Sequence, residues 1–148
     1  MPKNNTAILG LAILGTMVLG NDGTGLDLVI DRTAEDVRLG NEKGVYGAVD
    51  LNRVGEAIIQ VVDRLKAAGN DIEVSPKTDW VREDIPTSVQ MAHYLEQIQK
   101  VRDVLAVYQT TPLVPSDMVE LNHTQANDIE KILVDVDQLI TNMIAAYY

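Results

Sequence analysis

A mainly α fold, a three-helix bundle preceded by an extended, glycine-punctuated β arm, follows from three observations on this 148-residue chain. Within residues 50–148, three stretches repeat apolar residues at alternating steps of three and four, the period of one helix face. With one Trp, five Tyr and no Phe, the core must be built from Leu, Ile, Val, Ala and Met, which aliphatic helices do readily. The first twenty residues instead repeat Ile8-Leu9-Gly10, Ile13-Leu14-Gly15 and Val18-Leu19-Gly20 every five residues. The chain divides accordingly: a docking arm with room for a short hairpin over residues 1–30, a short helix and glycine-rich connector over 31–49, and the bundle over 50–148.

The arm suits a helix poorly, because each interior glycine costs about 1 kcal/mol. A spacing of five would also rotate successive glycines around a helix. Extended chain fits better: β-branched residues favour pleated surfaces, and glycine permits bends or close backbone approach. Ile8, Leu9, Gly10, Ile13, Leu14, Gly15, Val18, Leu19 and Gly20 are therefore read as subunit-docking residues, their backbone satisfied by another chain. A secretory signal is the first alternative, but Lys3 and the apolar run Ala7–Leu19 lead into Val18-Leu19-Gly20-Asn21, without a small-residue cleavage pattern. The run is also too short and glycine-rich for a membrane span, which takes about 20 apolar residues. An internal strand pair of the protein's own fold is the remaining alternative.

Asn21-Asp22-Gly23-Thr24-Gly25 is a strong turn signal, and Leu26-Asp27-Leu28-Val29-Ile30 alternates like a brief strand, which could form a hairpin with part of the arm. Thr33-Ala34-Glu35-Asp36 has the pattern of a capping box and opens a helix kept short by Gly40, Gly44 and Gly47. Asp50 begins the first long helix, with Leu51, Val54, Ile58, Val61, Leu65 and Ala68 on one stripe and Gly69-Asn70 closing it. Thr87 and Gln90 form a capping box for the second, which carries Met91, Leu95, Ile98, Val101, Leu105 and Tyr108 before Pro112 and Pro115. The third starts near Thr124 and presents Ile129, Leu133, Val136, Leu139 or Ile140, Met143 and Ala146. The connection 71–85 is longer than compact bundles usually use, and its Trp80 is expected to anchor across the bundle end. An exposed Trp80 binding a sugar or a partner is the functional alternative. Pro112-Leu113-Val114-Pro115 forms a stiff extended crossover.

A formal net charge of −10 argues against a nucleic-acid binder, whose affinity comes largely from Lys and Arg neutralising phosphates, and does not suit an anionic membrane surface. The absence of cysteine excludes disulfides, thiolate catalysis and zinc–thiolate sites. His93 and His123 have no partner at metal-ligand spacing, so His93 reads as a solvated helix residue and His123 as a capping or staple residue. Asp135 and Asp137 point in different directions on a helix, and the scattered Asp and Glu read as solvated faces. Phosphate-loop, nucleophile-elbow and calcium-loop spacings are lacking. Asn122-His123-Thr124 fits the glycosylation pattern, which matters only in a eukaryotic secretory setting. No catalytic residue, cofactor or metal is expected.

Three phrases occur together: Asp31-Arg32-Thr33-Ala34-Glu35-Asp36-Val37, Lys43-Gly44-Val45-Tyr46-Gly47-Ala48-Val49-Asp50-Leu51-Asn52-Arg53-Val54, and Thr78-Asp79-Trp80 with Asp84-Ile85-Pro86-Thr87. In these phrases the chain resembles a family of small virion structural proteins from tailed bacteriophages and prophages of Gram-positive bacteria. The resemblance covers nearly the whole chain and implies a virion component of the tail, baseplate or fibre region, with a neck or head-fibre position as the alternative. Relatives often continue past the third helix, whereas this chain stops at Ala145-Ala146-Tyr147-Tyr148, so no receptor-binding head is expected within it. Physically, Asp50-Leu51-Asn52-Arg53 puts a cap, a core residue and an arginine in one turn. Arg53 could then reach Asp31, Glu35 or Asp36, making Asp31, Arg32, Asp50 and Arg53 a structural clamp between the short and long helices. The expectation is a non-enzymatic assembly protein of a phage or phage-like particle, assembled in the host cytoplasm, with other virion proteins and copies of itself, trimeric or higher, as partners. Two alternatives come from other classes: a host-surface binding module acting through residues 71–85, and a secreted or tethered helical protein whose start is a targeting signal.

Overall fold

The computed structural model describes residues 26–147, and the docking residues of the arm and its turn lie outside them. The described chain is mainly helical and contains no strand. Helix α1 spans Ala34–Leu39 and is followed by a 3-10 turn at Glu42–Gly44. Three long helices come next: α2 (Ala48–Ala67), α3 (Ser88–Val104) and α4 (His123–Tyr147).

The expected strand at Leu26–Ile30 is absent. Leu26 and Leu28 alternate with exposed Asp27, as extended chain does, and they face inward, with Leu28 only 2% exposed. This stretch thus belongs to the folded helical unit rather than to a free arm: two leucines gain more from the aliphatic core than from solvent.

The caps follow the sequence with small shifts. Thr33 accepts from the Asp36 amide while the Asp36 carboxylate accepts from the Thr33 amide, and Gly40 ends α1 at a φ of 66°. Gly44 is required for a different reason: a Cβ there would lie 2.0 Å from the Asp36 carbonyl oxygen. Helix α2 starts at Ala48 rather than Asp50, because Asp50 is its third residue and accepts from the Gly47 amide at 2.8 Å. Thr87 and Gln90 cap α3 reciprocally as expected. That helix stops at Val104, where Leu105 turns extended (φ −118°, ψ 160°), so Leu105 and Tyr108 belong to the crossover. Asn122 and Gln125 form the reciprocal cap of α4, the role expected of His123. On α4, Ile140 rather than Leu139 is buried, Met143 is half-buried and Ala146 is exposed, so the stripe ends about two turns before the helix does.

Contacts run in the same order along all three long helices. Arg53, early in α2, meets Glu130 early in α4, and Arg64, late in α2, meets Asp137 and Thr141 further along α4. Tyr94 in α3 bonds Tyr46 just ahead of α2, while Arg102 at the end of α3 holds the Thr111 carbonyl, and the Thr111 hydroxyl donates to Asp135 at 2.7 Å. The helices therefore point the same way, and each connection must run back along them. This explains the long 71–85 connection: Glu73 accepts from Lys100, Ser75 pairs with Gln97 and His93, and Trp80 pairs with Asn52, in antiparallel order. The second return takes Tyr108 past Asn142 and Thr111 past Asp135 to Met118 and Val119 beside the start of α3.

Helix α4 is the central one. Ile129, Glu130 and every residue from Ile132 to Asp137 are buried, walled by α2, α3 and the second return. Glu130, Asp135 and Asp137 are consequently not solvated faces: Asp135 is held by Lys131 and Thr111, and Asp137 by Arg64. As expected, Asp135 and Asp137 serve separate partners. Among the described residues no helix is long and apolar enough to cross a membrane.

Candidate functional site

Arg32, Asp50 and Arg53 of the sequence phrases converge at the end of the helices where the chain leads in from Leu26. An asparagine on α4 positions Arg32: the Arg32 amide donates to Asn127 Oδ1 and Asn127 Nδ2 donates to the Arg32 carbonyl, both at 3.0 Å. The guanidinium turns inward, donating through Nη1 to the Val29 carbonyl (3.0 Å) and through Nη2 to Glu130 Oε2 (2.6 Å) and Asp50 Oδ1 (3.2 Å). Its Cζ stacks 5.3 Å from the Tyr46 ring centre.

Arg53 grips the same glutamate bidentately, Nε to Oε1 at 2.9 Å and Nη2 to Oε2 at 2.8 Å, and also donates to Asp50 Oδ1 at 2.7 Å. The Val29 amide completes the set at Glu130 Oε1 (2.9 Å). Two guanidinium and two carboxylate charges cancel, and Glu130, 0% exposed, accepts four hydrogen bonds. Burial opposes the charge on Arg53, but the Glu130 bond and charge prevail and hold its pKa above the ordinary arginine value. Beside the cluster, Tyr46 and Tyr94 share a short hydroxyl–hydroxyl hydrogen bond, and burial raises the pKa of both. A carboxylate closed off in this way is a structural lock, joining residues 29–32, the start of α2 and α4.

The expected clamp thus holds for three of its four members and differs in its pairs. Arg32, Asp50 and Arg53 meet, but Asp31 does not join them; it pairs with Lys43 at the surface, at 2.9 Å. Glu35 pairs with Arg38 and Asp36 caps α1, so neither reaches Arg53. Glu130 is the member the sequence reading passed over. Its signal was present: it sits between Ile129 and Ile132-Leu133, where apolar residues occupy several helix faces at once.

Trp80 is an anchor, 6% exposed, with its backbone tied both ways to the Asn52 amide (2.9 and 2.8 Å) and the Lys77 ammonium 5.0 Å from its ring centre. Its ring is not displayed for a sugar or a partner. His93 is exposed, but Nε2 lies 2.9 Å from the Ser75 carbonyl, so it fastens the first return rather than standing free in solvent. His123, the first residue of α4, is half-buried and borders a groove with Val37 and Tyr46. No group of three or more potential metal-ligating side chains occurs among the described residues.

Two concave surfaces adjoin the cluster, the groove at His123, which Arg32 also lines, and one on the side of Asp50 and Arg53. The second, of about 540 Å³, is walled by Val29, Val45, Ala48 and Val49 and rimmed by Lys43, Arg53 and Arg82. Val45 is 55% and Val49 75% exposed, an unusual state for two valines so close in sequence. Comparison with family models, with curated proteins and with solved structures finds no match.

Proposed function

We propose that this chain is a non-enzymatic assembly protein of a phage or phage-like particle, in the tail, baseplate or fibre region, held by its extended N-terminal arm to neighbouring subunits. The observation that carries this reading is a division of labour along the chain. Among the described residues, apolar side chains from Leu26 to Ile140 pack as one core, while Ala7–Leu19, outside those residues, is an aliphatic, uncharged stretch of the sequence. Such a segment needs another surface to cover its side chains and pair its backbone. The resemblance to virion proteins agrees with this, since two of its phrases contribute Arg32, Asp50 and Arg53 to one buried lock, a fold-defining use of shared residues rather than a catalytic one.

In this reading a bundle of three helices forms an outward knob and the β arm joins copies of the chain, trimeric or higher, and other virion proteins. Host-surface binding through residues 71–85 is less favoured, because that segment lies along α2 and α3 with Trp80 turned inward. Deleting residues 2–20 tests the proposal. Loss of the truncated chain from purified particles is expected, and incorporation at the normal level overturns the anchoring role.

A further inference from the structure

We propose that the groove lined by Val45 and Val49 beside the buried arginine–glutamate cluster receives the aliphatic segment Ile8–Leu14 of a second copy of this chain, which adds as a strand along Asp27–Ile30. The assignment deepens the assembly reading above and rests on it. Three observations carry it.

The first is the wall itself. Val45 and Val49 stand open beside Val29 and Ala48, and the rim charges Lys43 and Arg82 have stems that can lie along an apolar chain while their heads stay in water. The second is the backbone. Among the described residues, the N–H and C=O groups of Asp27, Leu28 and Ile30 make no hydrogen bond, although Leu28 is buried and Val29, which lines the groove, bonds through both of its groups. Unpaired backbone beside an apolar groove is the arrangement that accepts an added strand, where main-chain bonds supply affinity and alternate side chains fill pockets.

The third is the sequence available to fill it. Ile8-Leu9-Gly10-Leu11-Ala12-Ile13-Leu14 is uncharged and aliphatic, so it matches the wall, and Gly10 permits close backbone approach. A chain's own arm serves the groove less well. The turn Asn21–Gly25 would fold only Thr16–Gly20 back beside Leu26–Ile30, leaving Ile8–Leu14 without a partner. A second copy can lay the whole segment in place.

The cysteine-free sequence makes the test direct. Full-length Leu11→Cys and Val49→Cys chains are mixed in equal amounts and oxidised with diamide, and Leu11→Cys with Gln60→Cys, exposed on the same helix outside the groove lining, serves as the control. Cross-linked heterodimer should exceed the control by about tenfold, the gain expected when a docked contact raises local concentration. Equal yields overturn the assignment. So does the double variant Leu11→Cys/Val49→Cys if it closes only within one chain, at a yield independent of protein concentration, because the arm then fills its own groove. The particle test with residues 2–20 deleted separates the two readings. No cross-link together with loss of the truncated chain from particles rejects this groove and keeps the anchor, whereas normal incorporation rejects the anchor itself.

Discussion

At the scale of the residue, Glu130 is the most consequential side chain. It is fully buried, and with Asp50 it neutralises two arginines, so its removal leaves buried positive charge without compensation. Breaking a buried pair in this way costs about 3–5 kcal/mol, whereas an exposed pair contributes below about 1 kcal/mol. Glu130→Gln should therefore lower the urea midpoint sharply while Asp31→Asn, at the exposed Lys43 pair, leaves it almost unchanged. Similar losses from both would mean that the cluster is not a lock. The neighbouring tyrosines give a pH signature. Burial raises Tyr46 and Tyr94 above the ordinary tyrosine value of 10.0, so the neutral forms are favoured in the folded state. Their contribution to stability is complete below that value and is lost as pH rises past it towards their folded-state pKa values. Tyrosinate absorbance should show Tyr46 and Tyr94 ionising only as the protein unfolds. Tyr94→Phe should flatten the alkaline loss, and an unchanged profile would count against the buried pair.

At the scale of the element, direction organises the molecule: three helices point one way and two extended segments return between them. Trp80 and Gly55 join the first return to α2. A Cβ at position 55 would lie 2.9 Å from the Lys77 carbonyl oxygen, so Gly55→Ala must displace backbone, a cost of about 1–3 kcal/mol that offsets the better helix propensity of alanine. Trp80→Ala removes the anchor and should cost about 3–5 kcal/mol, with hydrogen exchange accelerating first at residues 73–80. Uniform acceleration across α4 would argue that the return is not a separate unit. The helices themselves were legible in sequence because the three-and-four spacing and the Thr33 and Thr87 caps are local signals. The end of α3 was not, since Val101, Leu105 and Tyr108 continue a helical spacing through the change of direction at Leu105. Nor was the burial of Glu130, Asp135 and Asp137, which depends on α4 being enclosed by other elements. The clamp lay between these cases: the first turns of α2 put Asp50 and Arg53 together, but the acceptor that Arg53 shares with Arg32 comes from the far end of the chain.

At the scale of the whole molecule, charge and hydrophobicity are segregated. The formal net charge is −10, yet Ala7–Leu19 carries no charged side chain, so the acidic residues lie beyond the segment proposed to join copies. Knobs brought together by such arms repel one another, and that repulsion acts over the Debye length, about 10 Å at 0.1 M salt. Association through aliphatic side chains has no ionic attraction to lose when salt is added. The sign of the salt effect follows: screening removes repulsion and leaves the apolar contact, so full-length chains should associate more tightly as sodium chloride rises from low concentration to about 0.3 M. A chain lacking residues 2–20 keeps every core residue from Leu26 to Ile140, so it should retain its urea midpoint and its helical circular dichroism while remaining monomeric at every salt concentration. Sedimentation velocity on the two chains decides the matter. Weaker association of the full chain with added salt would assign the contact to ion pairs between knobs, and salt-independent oligomers of the truncated chain would assign it to the helices.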